Sequence, residues 1–453
     1  MINLNKSFNN NEIVINNLEM NKYNYQYRWN LLTYCIWIPM GNYYNYDIPT
    51  SLYNSFKSYL TPILSDNQFE FYYGLLFSIT SFVNIFTPFI SGKLRDQYGN
   101  RIALFVLLFL VSLGQFIFIQ GFIHYNLYYI IIGRILISIG IEPCGAIQTS
   151  LLSSYFKFDH IALVVGLCEL FASFGTISVM YFAPKLAAQY NLIFAIQSGS
   201  FAIAMSVVCC IITIVYDLNA EFVEQENQIQ NVEVNKQMKT QDNFPFIYWM
   251  IILYNMLLFG SLLTFSNFSV GILTERWYAD DESAEEMAGK LMAIMWAISS
   301  FLTPVFGYLI DKYKNRAIFN ICASCLGCMG LVQLWYYAPF LAINLLGISY
   351  AIMCASVWSS IVYIIDEASL GTGYAYLLSS CNFLLSILPL TISLIKIRTA
   401  SFFISVMMLA VLIFITILLG IYIYILDNQE NNSLDGIVKH TNKSYDQLEQ
   451  DEI

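Results

Sequence analysis

Gly92-Lys93-Leu94-Arg95-Asp96-Gln97-Tyr98-Gly99-Asn100-Arg101 is a polar interruption between two apolar stretches, and the chain contains it twice. The second copy reads Gly307-Tyr308-Leu309-Ile310-Asp311-Lys312-Tyr313-Lys314-Asn315-Arg316. In each, an apolar stretch reaches a Gly, an Asp follows four residues later, and an Arg closes the interruption before the next apolar stretch. The copies lie about half a chain apart, so the sequence reads as one multi-helix unit used twice.

What flanks these loops is unlike a soluble protein. Charged residues make up 11% of the 453, hydrophobic residues 57% and aromatic residues 16%, against about a quarter charged in an ordinary soluble domain. The charges gather in the two tails, one central segment and a few short loops. The rest falls into apolar runs of about twenty residues, long enough to cross a hydrocarbon core of roughly 30 Å as helices. The expected fold is an all-α polytopic membrane protein with about twelve transmembrane helices in two pseudo-symmetric six-helix halves. Parallel repeats of this kind characterise a large class of membrane transporters.

The expected organisation is a disordered N-terminal tail over 1–28, a first half over 29–216, a hydrophilic linker over 217–244, a second half over 245–425 and an acidic tail over 426–453. Spans are expected at about 29–46, 70–91, 102–122, 127–148, 161–184 and 191–216. The second half repeats them at about 245–273, 287–309, 317–336, 339–361, 371–395 and 400–425. No hydrophobic run precedes Trp29, so no cleaved signal peptide is expected. Lys93, Arg95 and Arg101 crowd one loop and Lys312, Lys314 and Arg316 its repeat. The positive-inside rule therefore puts these loops, the linker and both termini in the cytosol. The loops at 47–69 and 276–286 then face outside or a lumen.

The net charge of −10 comes from acids in the linker, the C-terminal tail and the 276–286 loop. With no basic stripe, it argues against a nucleic-acid partner. All ten cysteines sit in apolar stretches, where Cys behaves as a small hydrophobe. No nucleophile–base pair, phosphate loop or metal set is visible, so neither an enzyme nor a cofactor is expected.

Within the repeated loop, Gly92, Asp96, Gly99 and Arg101, with Gly307, Asp311 and Arg316, are candidates for contacts that form in one conformation and break in another. Charges inside spans are costly and therefore functional candidates. Glu142 precedes Pro143 in the fourth span, and Glu169 lies in the fifth. Glu142 can bind a substrate ammonium, carry a proton, or serve as a structural acid. Arg134 shares its face but lies about 12 Å away, too far for a direct bond. Tyr350 and Trp358, two turns apart on the tenth span, can share a cavity wall. Tyr44, Tyr46 and Asp47 can line the non-cytosolic mouth. Asn267, Trp296 and Asn382 are weaker candidates.

The repeated loop resembles the major facilitator superfamily pattern Gly-x-x-x-Asp-Arg-x-Gly-Arg-Arg, from which Gln97 and Asn100 depart. Arg134-x-x-x-Ser138-x-Gly140 resembles a second superfamily motif. Gly41 to Pro49, Gly133 to Glu142 with Tyr155-Phe156-Lys157, Thr303 to Gly307, Gly347-x-Ser349-Tyr350 with Trp358, and Leu370-Gly371-Thr372-x-Tyr374 with Ser379 and Asn382 resemble one branch, the lysosomal dipeptide transporters. The resemblance implies that Glu142 meets a peptide's amino group. Where that branch carries an Arg able to fork a carboxylate, this chain has Ser173.

The expected function is alternating-access transport of a small organic solute across a lipid bilayer. The favoured cargo is short peptides, moved by uniport or by proton-linked export, through a cavity lined by spans 1, 4, 5, 7, 8, 10 and 11. The alternatives are a proton-coupled carrier of another solute, or a non-transporting sensor or scaffold with the same fold. Tyr445-Asp446-Gln447-Leu448 has the form read by endosomal and lysosomal sorting adaptors, which favours a lysosome- or vacuole-like membrane over the plasma membrane. The resemblance also implies a glycosylated accessory subunit as partner.

Overall fold

The structure is a computed structural model that describes residues 27–156, 161–227, 244–365, 369–429 and 434. The surroundings of Gly92, the side chain of Asp96, and the whole of Tyr445 and Leu448 lie outside what is described. Among the described residues ten helices are long and apolar enough to cross a membrane, or eleven when one bent pair is joined.

The expected first span is absent from those because it is broken. Helix α1 (27–35) and α2 (Trp37–Tyr46) meet at a turn on Ile36. Pro39 has no N–H to offer the carbonyl four residues back, and its ring crowds that carbonyl. The carbonyl belongs to Cys35, and it accepts instead from Gln148 Nε2 at 3.0 Å. The stretch after α2, expected as a loop, holds two short helices, α3 (Ile48–Ser51) and α4 (Tyr53–Leu60).

The second span, α5 (Asp66–Asn84), begins where the Gln68 side chain accepts from the Ser65 N–H at 3.0 Å, part of a capping box. Near Pro88 the axis bends by 43°, and the Ile85 carbonyl at the bend accepts from Ser379 Oγ at 2.9 Å. The next helical stretch, α6 (Thr87–Ile123), runs through the first repeated loop and folds back at Gly99, whose φ of 76° and ψ of 166° are non-helical. Lys314, at the matching position of the second copy, also has positive φ, at 48°. Both copies thus turn at a positive-φ residue, though with different ψ, 166° at Gly99 and 55° at Lys314.

The remaining helices are α7 (Leu127–Phe156), α8 (Ile161–Gln189), α9 (Leu192–Asn227), α10 (Phe246–Trp277), α11 (Ala284–Tyr313), α12 (Arg316–Tyr336), α13 (Pro339–Ile364), α14 (Leu370–Thr399) and α15 (Phe403–Gln429). Helix α9 continues well beyond the expected start of the linker, and α15 beyond the expected start of the tail. In the first half α2 packs on α8 and α9, and α6 on α7 and α9; in the second α12 packs on α13 and α15, and α10 on α14 and α15. The halves join mainly through α5 against α14 and α8 against α11.

These two seams close on matched glycines. A Cβ at Gly74 of α5 would sit 2.8 Å from the Pro389 carbonyl oxygen, and one at Gly289 of α11 would sit 2.4 Å from that of Met180. Gly74 and Gly289 have the same sequence offset as Gly92 and Gly307. Only a residue without Cβ lets the backbones come this near. Outward-facing side chains such as Phe109, Phe116 and Phe201 are exposed, as a lipid-facing surface requires.

Candidate functional site

The interior between the halves carries the polar side chains that the spans bury. Tyr43 and Tyr46 stand one turn apart on α2. Tyr43 lies within electrostatic range of both Glu142 and Glu169. Glu169 also has Tyr350 and Cys354 of α13 in range, across the seam from its own half. Although deep in a span, Glu169 is exposed. An acid with accessible surface that is also faced by the opposite half lines the space between the halves. Tyr350 is backed by Trp296, with ring centroids 5.2 Å apart, and by Phe259 at 5.9 Å.

Glu142 of α7 bridges the two halves. Asn382 Nδ2 on α14 donates to Glu142 Oε2 at 3.1 Å and Oε1 at 3.3 Å. The same nitrogen donates to the Leu378 carbonyl at 3.2 Å. Three acceptors around one atom fix which end of the amide carries the hydrogens. Asn382 is only 3% exposed, and its Oδ1 is buried without a donor.

Arg134 is turned away from this space. It is fully buried, with its guanidinium 5.4 Å from the Tyr46 ring centre and Nη1 donating to the Asn45 carbonyl at 3.3 Å. Asp47 is in its electrostatic range and accepts from Thr176 Oγ1 at 2.6 Å. Arg134 thus has an acid of its own half in electrostatic range, while its Nε and Nη2 are buried without a hydrogen-bond partner among the described residues. Ser173 lies one turn from Glu169 and donates back to the Glu169 carbonyl at 3.0 Å.

Other expected site residues point elsewhere. Tyr44 is buried within the first half, its hydroxyl 2.7 Å from Ser198 Oγ. Trp358 stacks on Tyr374 with centroids 5.6 Å apart, while Tyr350 faces Trp296, so the two aromatics of α13 serve different contacts. Tyr43, which the sequence reading passed over, faces both acids. Helical spacing offered the signal: Tyr43 and Tyr46 share a face that Tyr44 does not.

At the end bearing the repeated loops, Arg101 pairs with Asp217 of α9 and donates to its carbonyl at 3.1 Å. Tyr155 donates to the same carboxylate at 2.5 Å. Its repeat, Arg316, donates to Asp311 at 2.9 Å and to Ser359 at 3.2 Å. Both arginines therefore tie helix ends within their own halves.

The opposite end is held shut across the halves. Glu285 of α11 accepts from the backbone N–H groups of Asn54 and Ser55 at 2.7 and 3.0 Å, and from the Ser55 hydroxyl. It thereby satisfies the first amides of α4. Tyr73 of α5 donates to the Asn267 carbonyl of α10 at 2.9 Å. Above them opens a mouth of about 750 Å³ lined by residues that include Lys57, Glu275, Glu282, Glu286 and Lys396. Of these latch residues the sequence offers only Asn267 as a candidate, because each pairing joins positions far apart in the chain.

Two packed half-bundles with a polar interior and one sealed end form a membrane transporter that works by alternating access. Residues 42–389 match the Major Facilitator Superfamily, and the chain belongs to it. It is similar to the lysosomal dipeptide transporter MFSD1 of Homo sapiens, 24% identical with 89% of this chain and 87% of that protein covered. The Danio rerio protein of the same name is 22% identical, covering 89% and 88%. In three dimensions it is similar to a bacterial homologue of the human lysosomal transporter Spinster in an inward-facing, occupied conformation, with TM-score 0.63 and 14% identity over 89% of this chain and 97% of that one. The nucleoside transporter NupG gives a TM-score of 0.61 at 11% identity, covering 86% and 99%. These likenesses between structures concern the fold alone.

Proposed function

We propose that the chain carries short peptides, dipeptides above all, across the membrane of a lysosome- or vacuole-like organelle. The observation that carries this is the bridge between Glu142 and Asn382. A carboxylate on one half, met by a neutral amide donor from the other, is a place where a substrate ammonium can bind and alter the contact between halves. Charge-assisted hydrogen bonds are roughly twice as strong as neutral ones, so an ammonium competes well against the amide. The tyrosine and tryptophan walls suit varied side chains, since stacking and area burial tolerate many chemistries. The similarity to the lysosomal dipeptide transporters supports the same reading.

In this reading the basic repeated loops face the cytosol and the Glu285 latch seals the luminal side. The halves rock about the α5–α14 and α8–α11 seams. A partner bearing luminal glycans and an adaptor reading Tyr445 and Leu448 fit the same setting. Ser173, in place of the branch's arginine, favours a second reading, a carrier of another small solute.

The test is a thermal-shift panel of dipeptides, free amino acids and sugars on the purified protein. A ligand that binds only the native state stabilises it by mass action, by about 2.7 kcal/mol at a hundred times Kd, and so raises Tm. Several dipeptides should stabilise wild type and fail to stabilise Glu142→Gln. Stabilisation by sugars or amino acids alone would favour the second reading.

A further inference from the structure

At the end that bears the repeated loops, the two halves tie their helices together in different ways. In the first half, Arg101 reaches the Asp217 carboxylate of α9 directly. The second half holds the matching parts, Arg316 at the start of α12 and a buried aspartate, Asp427, near the end of α15. There the described link runs through a residue of the C-terminal tail. The Leu434 N–H donates to Asp427 Oδ1 at 2.9 Å, and Arg316 Nη1 donates to the Leu434 carbonyl at 3.4 Å.

A separate observation shows that this residue is seated. Leu434 is fully buried and belongs to the main apolar core, although the sequence around it, Asn431-Asn432-Ser433-Leu434-Asp435-Gly436, is otherwise polar or small. One leucine in such a stretch gains by leaving water, and both its backbone groups find partners, as buried backbone requires. Arg316 is as deeply placed, at 1% exposure. Its guanidinium lies 4.3 Å from the Tyr363 ring centre, Nε donates to Ser359 of α13, and Nη2 donates to Asp311 of α11. One cation thus gathers the ends of α11, α12 and α13, and Leu434 joins α15 to them.

We propose that the C-terminal tail is an intramolecular strap: Leu434 anchors it on Arg316 and Asp427, and the seated strap favours the conformation in which the opposite end is sealed. In that conformation Glu285 and Tyr73 hold the opposite end shut, so alternating access leaves the loop-bearing ends apart. The described partners of Arg316 all belong to its own half. Once Leu434 leaves, Nη1 is available to acceptors that the first half brings near when the loop-bearing ends meet. A contact shifts an equilibrium only by the difference it makes between the two states, and the strap supplies such a difference. It acts on the rocking itself, whatever the cargo.

The experiment is double electron–electron resonance on the full-length protein in detergent, with spin labels on encoded ketone residues at positions 128 and 337. Both positions are exposed and lie at the end opposite the strap, so a purely local disturbance around Leu434 leaves them in place. Leu434→Asp, which puts a charge into an apolar seat, should lengthen the 128–337 distance, the ratio of open to sealed populations rising by about fivefold or more. Leu434→Met, a swap of similar volume, should keep the wild-type distribution. A chain ended after Gln429 should behave as Leu434→Asp does. An unchanged distribution in either Leu434→Asp or the shortened chain would overturn the proposal, as would a shift toward shorter distances. A lower Tm with wild-type distances would also overturn it, since Leu434 would then be packing alone.

Discussion

Replacing Gly289 by Ala should push the transporter out of the conformation described above. The new Cβ would lie 2.4 Å from the Met180 carbonyl oxygen and 3.1 Å from Pro184, where ordinary contact begins at 3.4 Å. Both neighbours belong to α8, and the closest atom is backbone, so no flexible side chain can give way. The two helices must part by about 1 Å. Overpacking of this kind costs about 1–3 kcal/mol. Gly289 lies near the start of α11, beside the Glu285 latch, at the sealed end. The penalty therefore falls on the state in which this end is closed. If the other state opens it, the ratio of the two shifts by roughly 5- to 150-fold. Probes at 98 and 313, one on each repeated loop, report the change. Both side chains are exposed, and introducing the labels through a genetically encoded ketone leaves the ten native cysteines unmodified. Double electron–electron resonance should show the 98–313 distance distribution moving to shorter values in Gly289→Ala. A lower Tm with an unchanged distribution would refute the reasoning, since the seam would then be static packing.

Lys314 occupies left-handed backbone with φ 48° and ψ 55°, which costs an L-residue roughly 1–2 kcal/mol; Lys314→Gly should raise Tm in detergent by the equivalent of about 0.5–1 kcal/mol. Gly99→Ala should do the reverse, losing about 1–3 kcal/mol, because φ 76° with ψ 166° is open essentially to glycine alone. Glu285→Ala removes the acceptor of three hydrogen bonds to α4; bonds to charged groups contribute about 1.5–3 kcal/mol each, so the 98–313 distance should shorten as in Gly289→Ala. Asp281, in the turn before α11, accepts from the Ser283 hydroxyl and N–H, both at 2.7 Å. These bonds hold its carboxyl below the ordinary value of 3.8. Its contribution is therefore present above that value and is lost only as pH falls through the lower folded one. Titration of Asp281 followed by carboxyl-carbon NMR should show it still ionised at about pH 5, and a midpoint above 3.8 would contradict this.

Much of the architecture was readable in the residues because its causes are local. Apolar runs of membrane-crossing length declare themselves, and the charges of the repeated loops mark where the chain leaves the bilayer. Glu142 and Glu169 stood out because a charge in a span needs a reason. Even so, Pro39 broke the first span at Ile36, and the stretch after it folded into α3 and α4, whose stability depends on contacts with the other half. Tyr350 and Trp358 share one helix face in sequence, yet each found a different aromatic partner.

The chain's own order of residues therefore determined the class of molecule, the repeat and the acids available to a site. Tertiary structure alone decided that Asn382 meets Glu142, that Arg134 turns toward Tyr46 and Asp47, that Glu285 caps α4, and that Gly74 and Gly289 bring the halves into backbone contact. The reason is the range of the forces involved. Hydropathy and turn chemistry act over a few residues, whereas each of those four contacts joins helices distant in the chain and is settled only when whole faces pack together.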